Sequence, residues 1–430
     1  MNKTLQGFVL VMSLFVGEAK AVNFSINEAL DRVLAVDYRH IMQQNNLQSS
    51  KINVKAEKAA RDFKANLSLK MGTDTDGGWS KKRKFYSDNS FTLTKNLYNG
   101  GGYEANIDGA NAKVDVSRQN VMISQSKIAI ELIKIYTDLL RLRRMQGLLT
   151  KNMIAIRDLR DEYSRRVEIG VGQRSILLRL DQKLGLLEIS IDDLSNQLSN
   201  TEDKMRYLLQ VDNSTPLDLQ PIEPVTPELI EEIRKISDAG EVENLSHPEI
   251  AKIKKQIYVA SYGYEAKRAT NSPVIDVETK VAMKREGERT TNKTDYGVYL
   301  KVNWNLSDDA NKHRIKEKEI ALSNSRIEYA FAKNKILNDL KAAIVSLDTT
   351  SKRLVKMKKI HAQTASIERD SYTRFTSLAK QSREYISRAD VINEFYTSEA
   401  RILGGYYEKV MLEYTIVSTA GKLLNYLGKK

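Results

Sequence analysis

The sequence contains no cysteine, and its prolines and histidines are few. The missing cysteine excludes disulfides, cysteine-based metal sites, thiol nucleophiles and a lipid-modified N-terminal cysteine. All six prolines lie outside the two pairs of long helical segments described below, and four of them crowd residues 216–227. The four histidines are His40, His247, His313 and His361, and no two of them have metal-ligand spacing. We therefore predict no metal and no other cofactor.

Long apolar runs are also scarce. The apolar run Gly7–Gly17 follows Lys3 and precedes the small residues Ala19 and Ala21. This pattern predicts a secretory signal peptide over residues 1–21, although an ordinary apolar first helix is the alternative. No other stretch approaches 18 apolar residues, so any membrane crossing must use strands.

Charge of one sign is not concentrated anywhere. The net charge is +13, from 68 basic and 55 acidic residues, and the excess is spread along the helical segments. Only small clusters such as Lys81–Lys84 occur. This distribution favours no nucleic-acid partner.

The helical segments carry the clearest periodic signal. From Asn111 to Ile169 the chain predicts one helix, and a second follows after a turn. Apolar residues in these helices repeat with 4-3 spacing, which predicts an antiparallel coiled-coil hairpin with seams that need lateral neighbours. The first seam is Ile128, Leu132, Ile135, Leu139, Leu142, Gln146, Leu149, Met153, Ile156, Arg160 and Tyr163. The second seam is Leu177, Leu180, Leu184, Leu187, Ile191, Leu194, Leu198, Thr201, Met205 and Leu208.

Two pairs of alternating strands precede the helical hairpins. The first pair is Asn66–Gly72 and a strand that ends at Leu97-Tyr98; the second lies around Val274–Met283 and Asp295–Trp304. Polar loops, predicted over Thr73–Asn89 and Lys284–Thr294, join the strands within each pair. One apolar and one charged face over about ten residues fit a membrane β-barrel with a polar lumen. A soluble sheet with a wet outer face is the alternative.

The order of these segments predicts an internal duplication. We expect a first repeat over residues 22–210, a proline-containing irregular linker over 211–246 and a second repeat over 247–430, each repeat with a helix, two strands and a long helical hairpin. The predicted fold class is mainly α with a small β part. Four strands cannot close a sheet alone, so several chains are expected to assemble.

The turn between the second strand and the first long helix reads Leu97-Tyr98-Asn99-Gly100-Gly101. This turn resembles that of the TolC-like outer-membrane efflux and secretion channels, in which a leucine, an aromatic residue and Asp or Asn precede Gly-Gly. The second copy departs from the pattern, with Trp304–Asp308 in place of the glycines. The resemblance covers nearly the whole chain after residue 21.

The hairpin tips carry further points of resemblance. The first tip has Glu168 and Gly170 followed by Ser175, and the second, over Glu384–Val391, has Glu384 where the family usually has glycine. The resemblance implies that the tips dock a periplasmic adaptor through Glu168, Gly170, Val171, Arg174, Ser175 and Ser387. It also implies that Asp390 and Asn393 line a periplasmic gate.

The resemblance further implies a homotrimer. Three chains would form a 12-stranded β-barrel among the lipids of the outer membrane of a Gram-negative bacterium, continued by an α-helical barrel of coiled-coil hairpins across the periplasm. The channel would work with a periplasmic adaptor and an inner-membrane ABC, RND or MFS transporter. It would export drugs, other small molecules or a type I secreted protein without chemical change.

Two other classes of function are less well supported. An enzyme is not expected, because the sequence offers no catalytic constellation: Gly100-Gly101-Gly102 lacks the spacing of a phosphate-binding loop, and Asp192-Asp193 fits a solvated helix surface. A periplasmic coiled-coil adaptor or scaffold is the second alternative. Adaptors usually carry one hairpin, whereas this chain predicts two, each preceded by a strand pair.

Overall fold

The computed structural model describes residues 22–75, 83–213, 215–245, 247–286, 291–377 and 382–429. The predicted signal peptide therefore lies outside the described residues. The strands are β1 Val22–Phe24, β2 Lys64–Thr75, β3 Arg83–Tyr98, β4 Leu217–Leu219, β5 Val274–Glu286 and β6 Thr291–Asn303. The helices are α1 Ile26–Val36, α2 Tyr38–Ala59, α3 Gly102–Glu168, α4 Arg174–Leu209, α5 Pro227–Ala239, α6 Pro248–Ala269, α7 Asp309–Ser377, α8 Ser382–Thr419 and α9 Leu423–Tyr426. A fold that is mainly α with a small β part is thus confirmed.

Helix α3 begins nine residues before the predicted Asn111. Its start lacks an apolar period because small residues there pack closely on α6: a Cβ at Gly109 would lie 3.4 Å from Tyr262 Cβ. Ala105, Ala110 and Ala112 are buried in the same stretch. Small side chains let two helices approach without any large apolar residue, so the hydrophobic pattern starts later than the helix.

The long helices form two rows that share α3 and α7. In the half next to the long strands, α2 packs on α3, α3 on α6, and α6 on α7. In the half that contains the hairpin tips, α4 packs on α3, α3 on α8, and α8 on α7. Helix α7 is therefore at one edge throughout, while α2 and then α4 form the other edge.

The predicted coiled-coil seams are confirmed. Every residue of both seams is buried or half-buried in the single chain, and Leu132, Ile156, Leu180 and Met205 are fully buried. Arg160 fits its seam position because its guanidinium donates to Asp181 Oδ1 on α4 at 2.7 Å. The antiparallel hairpin of α3 and α4 follows from this packing.

The four long strands form one antiparallel sheet in the order β2-β3-β5-β6. They run further than predicted: most of the polar segments Thr73–Asn89 and Lys284–Thr294 is strand. Polar side chains do not break a strand when each backbone group has a partner, and here pairing continues up to Thr75↔Arg83 and Glu286↔Thr291. The predicted loops were therefore too long.

One face of this sheet is apolar and open to the surroundings. Leu67 pairs with Phe91, Phe91 with Val281 and Val281 with Tyr296, so one row of apolar side chains crosses all four strands. Leu67 is 64% and Tyr296 84% exposed. The opposite face is polar, with rows such as Lys70, Asp88, Lys284 and Lys293.

The proline-rich connection is more ordered than an irregular linker. It contains β4, which pairs in parallel with β1, and α5, whose first residue is Pro227. Proline suits that position because the first helical N–H has no partner in the helix. Arg234 on α5 donates to both carboxylate oxygens of Asp348 on α7, at 2.9 and 2.7 Å, and fixes the connection to the helical rows.

The main hydrophobic core lies at the level of this connection. It joins α1, α3, α4, α5, α8 and α9 around side chains such as Leu30, Ile133, Leu209, Ile233 and Val417, all at most 1% exposed. Across the described ranges, no helix is both long enough and apolar enough to span a membrane.

Tyr136 fastens the small β1–β4 sheet to α3, and its removal tests that role. Its hydroxyl lies 2.8 Å from the carbonyl oxygen of Phe24 and 2.7 Å from that of Gln220, in a side chain that is 1% exposed. We expect Tyr136→Phe to lower the free energy of unfolding by about 1 kcal/mol, because it removes the hydrogen bond that the buried hydroxyl donates to this sheet. Urea unfolding measures this loss. Tyr38→Phe, at a tyrosine that is 66% exposed, is the control, and an equal loss in both variants would contradict the role.

Candidate functional site

The first hairpin reverses in a tight turn between α3 and α4. The N–H groups of Val171 and Gly172 both donate to the carbonyl of Arg166, at 3.0 and 2.9 Å, and the N–H of Gln173 donates to the Tyr163 hydroxyl at 2.8 Å. These bonds satisfy groups that the ends of the two helices leave free. The turn is therefore closed by its own backbone and by one buried tyrosine.

Two glycines shape this turn for different reasons. Gly170 has φ +79°, which favours glycine, but a Cβ there would meet nothing within 4 Å. Gly172 has an ordinary φ, but a Cβ there would lie 2.8 Å from Val167 Cγ2 and 2.9 Å from Val167 N. Sequence reasoning selected Gly170 and missed Gly172, whose need appears only when the turn is folded.

The other predicted residues of the first tip lie at its surface. Val171 is 59% exposed, and Arg174 and Ser175 form the exposed first turn of α4. Glu168 accepts a hydrogen bond from Ser164 Oγ one helical turn earlier, at 3.1 Å. The structure thus brings Glu168, Gly170, Val171, Arg174 and Ser175 together on one exposed surface.

The segment Glu384–Val391 is not a turn. It belongs to the first three turns of α8, which begins at Ser382; α7 ends at Ser377, and residues 378–381 lie outside the described ranges. The interpretation of this segment as the second tip was wrong because it relied on an Asp-Val pair that the helix accommodates. Ser387 is exposed on α8 and lines a cavity of about 330 Å³ between α7 and α8, together with Ile367, Phe375, Glu384 and Val391.

The predicted gate residues contact the other hairpin. Asp390 on α8 forms an ion pair with Lys183 on α4, although its own side chain is 60% exposed. Asn393 Oδ1 accepts a hydrogen bond from Asn152 Nδ2 on α3 at 2.9 Å. The sequence also allows Asp390 to pair with Arg388 or Arg383 on its own helix. The structure does not show the Arg388 pair, because Arg388 donates to the Glu368 carbonyl at 2.8 Å and Asp390 pairs with Lys183.

An aromatic cluster joins the two hairpins near their tips. The Tyr385 ring lies 4.6 Å from that of Tyr163 and 4.9 Å from that of Phe375, and Tyr385 is fully buried. Its hydroxyl donates to Glu162 Oε1 at 2.9 Å. Burial, with the Glu162 carboxylate beside it, raises the pKa of Tyr385 to about 12, so the hydroxyl keeps its proton and the bond near neutral pH.

The strand-to-helix turn has the geometry that its glycines suggest. Gly100 and Gly101 have φ +69° and +85°, and a Cβ at Gly100 would lie 2.4 Å from Ser272 Cβ. Leu97 and Tyr98 end β3 with exposed side chains, and Asn99 Oδ1 accepts the Tyr103 N–H at 3.2 Å. The second strand-to-helix turn, before α7, has no glycine. There Asp308 caps the helix, because its Oδ1 accepts the Asn311 N–H at 2.9 Å.

Among the described residues, no group of three or more His, Asp or Glu side chains could hold a metal ion. The candidate site therefore consists of the exposed tip surface, the α3–α4 turn, and the hydrogen bonds and ion pairs that join the helices near the tips.

No protein-family model matches the sequence. No curated protein matches it either.

Solved structures do match the fold over almost the full chain. CusC, which forms a transmembrane channel, aligns with a TM-score of 0.78 at 10% identity, over 94% of this chain and 92% of that one. The outer-membrane protein VceC of Vibrio cholerae aligns with a TM-score of 0.76 at 10% identity, over 94% and 96%. The outer-membrane channel MtrE of Neisseria gonorrhoeae, in its open state, aligns with a TM-score of 0.72 at 12% identity, over 96% and 93%. The chain therefore has the fold of the TolC-like outer-membrane channels.

Proposed function

We propose that three copies of this chain form an export channel in the outer membrane of a Gram-negative bacterium, extending into the periplasm. The observation that carries the proposal is a set of open edges. The four-stranded sheet and both helical rows end in elements that pack on one side only, and these edges belong to the same two sides of the molecule. Further copies of the same chain can cover these edges.

The sheet supports a membrane barrel. Within the described chain, β2 and β6 each pair along one edge. Strands alternate in direction across the sheet, so β6 of one copy can pair antiparallel with β2 of the next, and three copies close a barrel of 12 strands. The exposed apolar face through Leu67 and Tyr296 then meets lipid, and the polar face lines the lumen.

The helices support a duct across the periplasm. Helix α3 has 67 residues and α7 has 69, which corresponds to about 100 Å at about 1.5 Å per residue. Both helices run from the sheet to the tips, so three copies would surround a long continuous passage. The alternative function, a periplasmic adaptor or scaffold, does not account for a sheet with one exposed apolar face and one charged face.

The tips support docking of a periplasmic adaptor. The surface made by Glu168, Gly170, Val171, Arg174 and Ser175 is exposed and ends the molecule opposite the sheet. Ser387 offers a second contact beside the α7–α8 cavity. Through the adaptor the channel would receive small molecules or a protein from an ABC, RND or MFS transporter in the inner membrane and release them unchanged.

Asp390 and Asn393 are proposed to line the periplasmic gate. Three-fold symmetry brings three Asp390 carboxylates around one axis, which favours cations in a narrow throat. The Lys183 ion pair weakens that field, because it sets one positive charge beside each carboxylate. The same pair ties α8 to α4, so Asp390 has both an electrostatic and a structural role in this proposal.

Assembly is the first test. We expect purified protein in detergent to have the mass of three chains plus bound detergent, because the edges of a single chain are unsatisfied. Light scattering with refractive-index detection measures the protein mass. A monodisperse, folded single chain would contradict the channel.

Docking is tested at Gly170. Gly170→Trp fits the turn sterically, at a cost of about 1–2 kcal/mol for the left-handed backbone, so we expect normal trimer levels but loss of adaptor cross-linking and export. Gly170→Asn is the matched control, since asparagine tolerates this backbone without bulk, and it should retain export. Gly172→Trp should lower trimer levels, because its side chain has no space beside Val167. Wild-type export by Gly170→Trp would remove the tip assignment.

The gate is tested by two opposite substitutions. In planar bilayers, Asp390→Asn should lower the cation preference and the block by trivalent cations, because it removes the ring of carboxylates. Lys183→Gln should raise both, because it leaves the same carboxylates without their counter-charges. If Asp390 serves only as a tie to α4, both variants break the same contact and should change the channel in the same direction.

A further inference from the structure

The outer face of α4 carries a stripe that nothing in the single chain covers. Its residues recur every three or four positions, which places them along one side of the helix. All of them are exposed: Gln182, Leu186, Ile189, Asp193, Asn196, Asn200, Asp203 and Tyr207. Leu186 and Ile189 are each 59% exposed, so this side keeps apolar area in water.

A second exposed stripe runs along α7, at the opposite edge of the helical row. It has the same 4-3 spacing and flanks the seam that packs on α8, so at its margin Arg353 pairs with Glu408 on α8 and Ile367 lines the α7–α8 cavity. Its residues are Ala342, Ser346, Thr349, Arg353, Lys356, Ile360, Gln363, Ile367, Asp370 and Arg374, all exposed. Ile360 and Ile367 are 52% and 51% exposed.

The two stripes can be compared by their height above the tips. The hairpins end at the same level, because Glu162 bonds Tyr385 and Lys183 pairs with Asp390. Helix α4 starts at the tip with Arg174, and α7 ends there with Ser377. At about 1.5 Å per residue, Asp193 and Lys356 both lie about 30 Å from the tip.

At equal heights the two stripes are complementary. Leu186 and Ile189 lie level with the stretch of α7 between Ile360 and Ile367, so apolar residues face apolar residues. One turn further from the tip, Asp192 and Asp193 on α4 lie level with Lys359 and Lys356 on α7. Within the described ranges these four charged side chains make no ion pair. Other charges on the same helices do: Arg353 pairs with Glu408, and Asp203 pairs with Arg206.

We propose that the α4 stripe docks on the α7 stripe of a second copy of this chain, with Asp193 paired to Lys356 and Asp192 to Lys359. This inference rests on the proposed channel, and it specifies which edges meet and at what register. The apolar contacts supply most of the attraction, and the opposite charges limit the register, because a shift by one turn towards the tips would set the two aspartates opposite Ile360 and Gln363 instead of lysines. Each subunit uses both stripes, so the contact repeats around a closed ring.

Charge reversal tests the pairing. Asp193→Lys and Lys356→Asp should each raise the dissociation of the assembled protein about 5-fold per interface, while the double variant should restore it towards wild type. Both single effects should weaken in 1 M salt, where exposed charges are screened. Lys358→Asp is the matched control, since Lys358 lies two residues away on another side of α7, beside a cavity lined by α3 and α8 residues. An equal effect of this control, or no rescue in the double variant, would overturn the pairing.

The absence of cysteine allows a direct second test. Asp193→Cys combined with Lys356→Cys should give disulfide-linked dimers and trimers on mild oxidation, whereas Asp193→Cys with Lys358→Cys should not. A wild-type trimer that shows neither these cross-links nor a charge-reversal effect would overturn this interface and leave the proposed channel standing. A wild-type protein that does not assemble would overturn both.

Discussion

The open edges of the sheet are the constraint on which the rest of the structure depends. Strands β2 and β6 each leave one row of backbone N–H and C=O groups without partners inside the described chain. Such rows are costly away from water, and the sheet also exposes a continuous apolar face through Phe91 and Val281. A barrel built from several copies satisfies both needs at once, which is why the single chain is interpreted as one part of a closed ring.

The helical rows extend the same constraint away from the sheet. Helix α7 remains at one edge over its whole length, and α2 and α4 succeed each other at the other edge. The seams between α3 and α4 are satisfied inside the chain, whereas the outer stripes with Ile189 and Ile360 are not. Near the tips, Tyr385 and the Lys183–Asp390 pair hold the two hairpins level, so that the outer stripes have a defined height relative to each other.

The long periodic elements could be predicted from the sequence, and the fine details of the site could not. The 4-3 spacing from Ile128 to Tyr163 predicted a hairpin that the structure confirms. The start of α3 was misplaced because Gly109 and its small neighbours pack without an apolar period. The segment Glu384–Val391 was taken for a turn because a short motif match does not distinguish a turn from the first turns of a helix.

The sequence by itself determined the mainly helical fold, the strand pairs and the turn glycines Gly100 and Gly170, because these depend on local backbone preferences and on hydrophobic periods. Tertiary structure alone decided that Gly172 must be small, that Asp390 meets Lys183 and that Asn393 meets Asn152. Those contacts join residues about 200 or more positions apart, or depend on the exact approach of two backbones. Local patterns carry no information on the contacts of Asp390 and Asn393, since these are set only when the two hairpins pack together, and the space at Gly172 is set only when the α3–α4 turn closes on Val167.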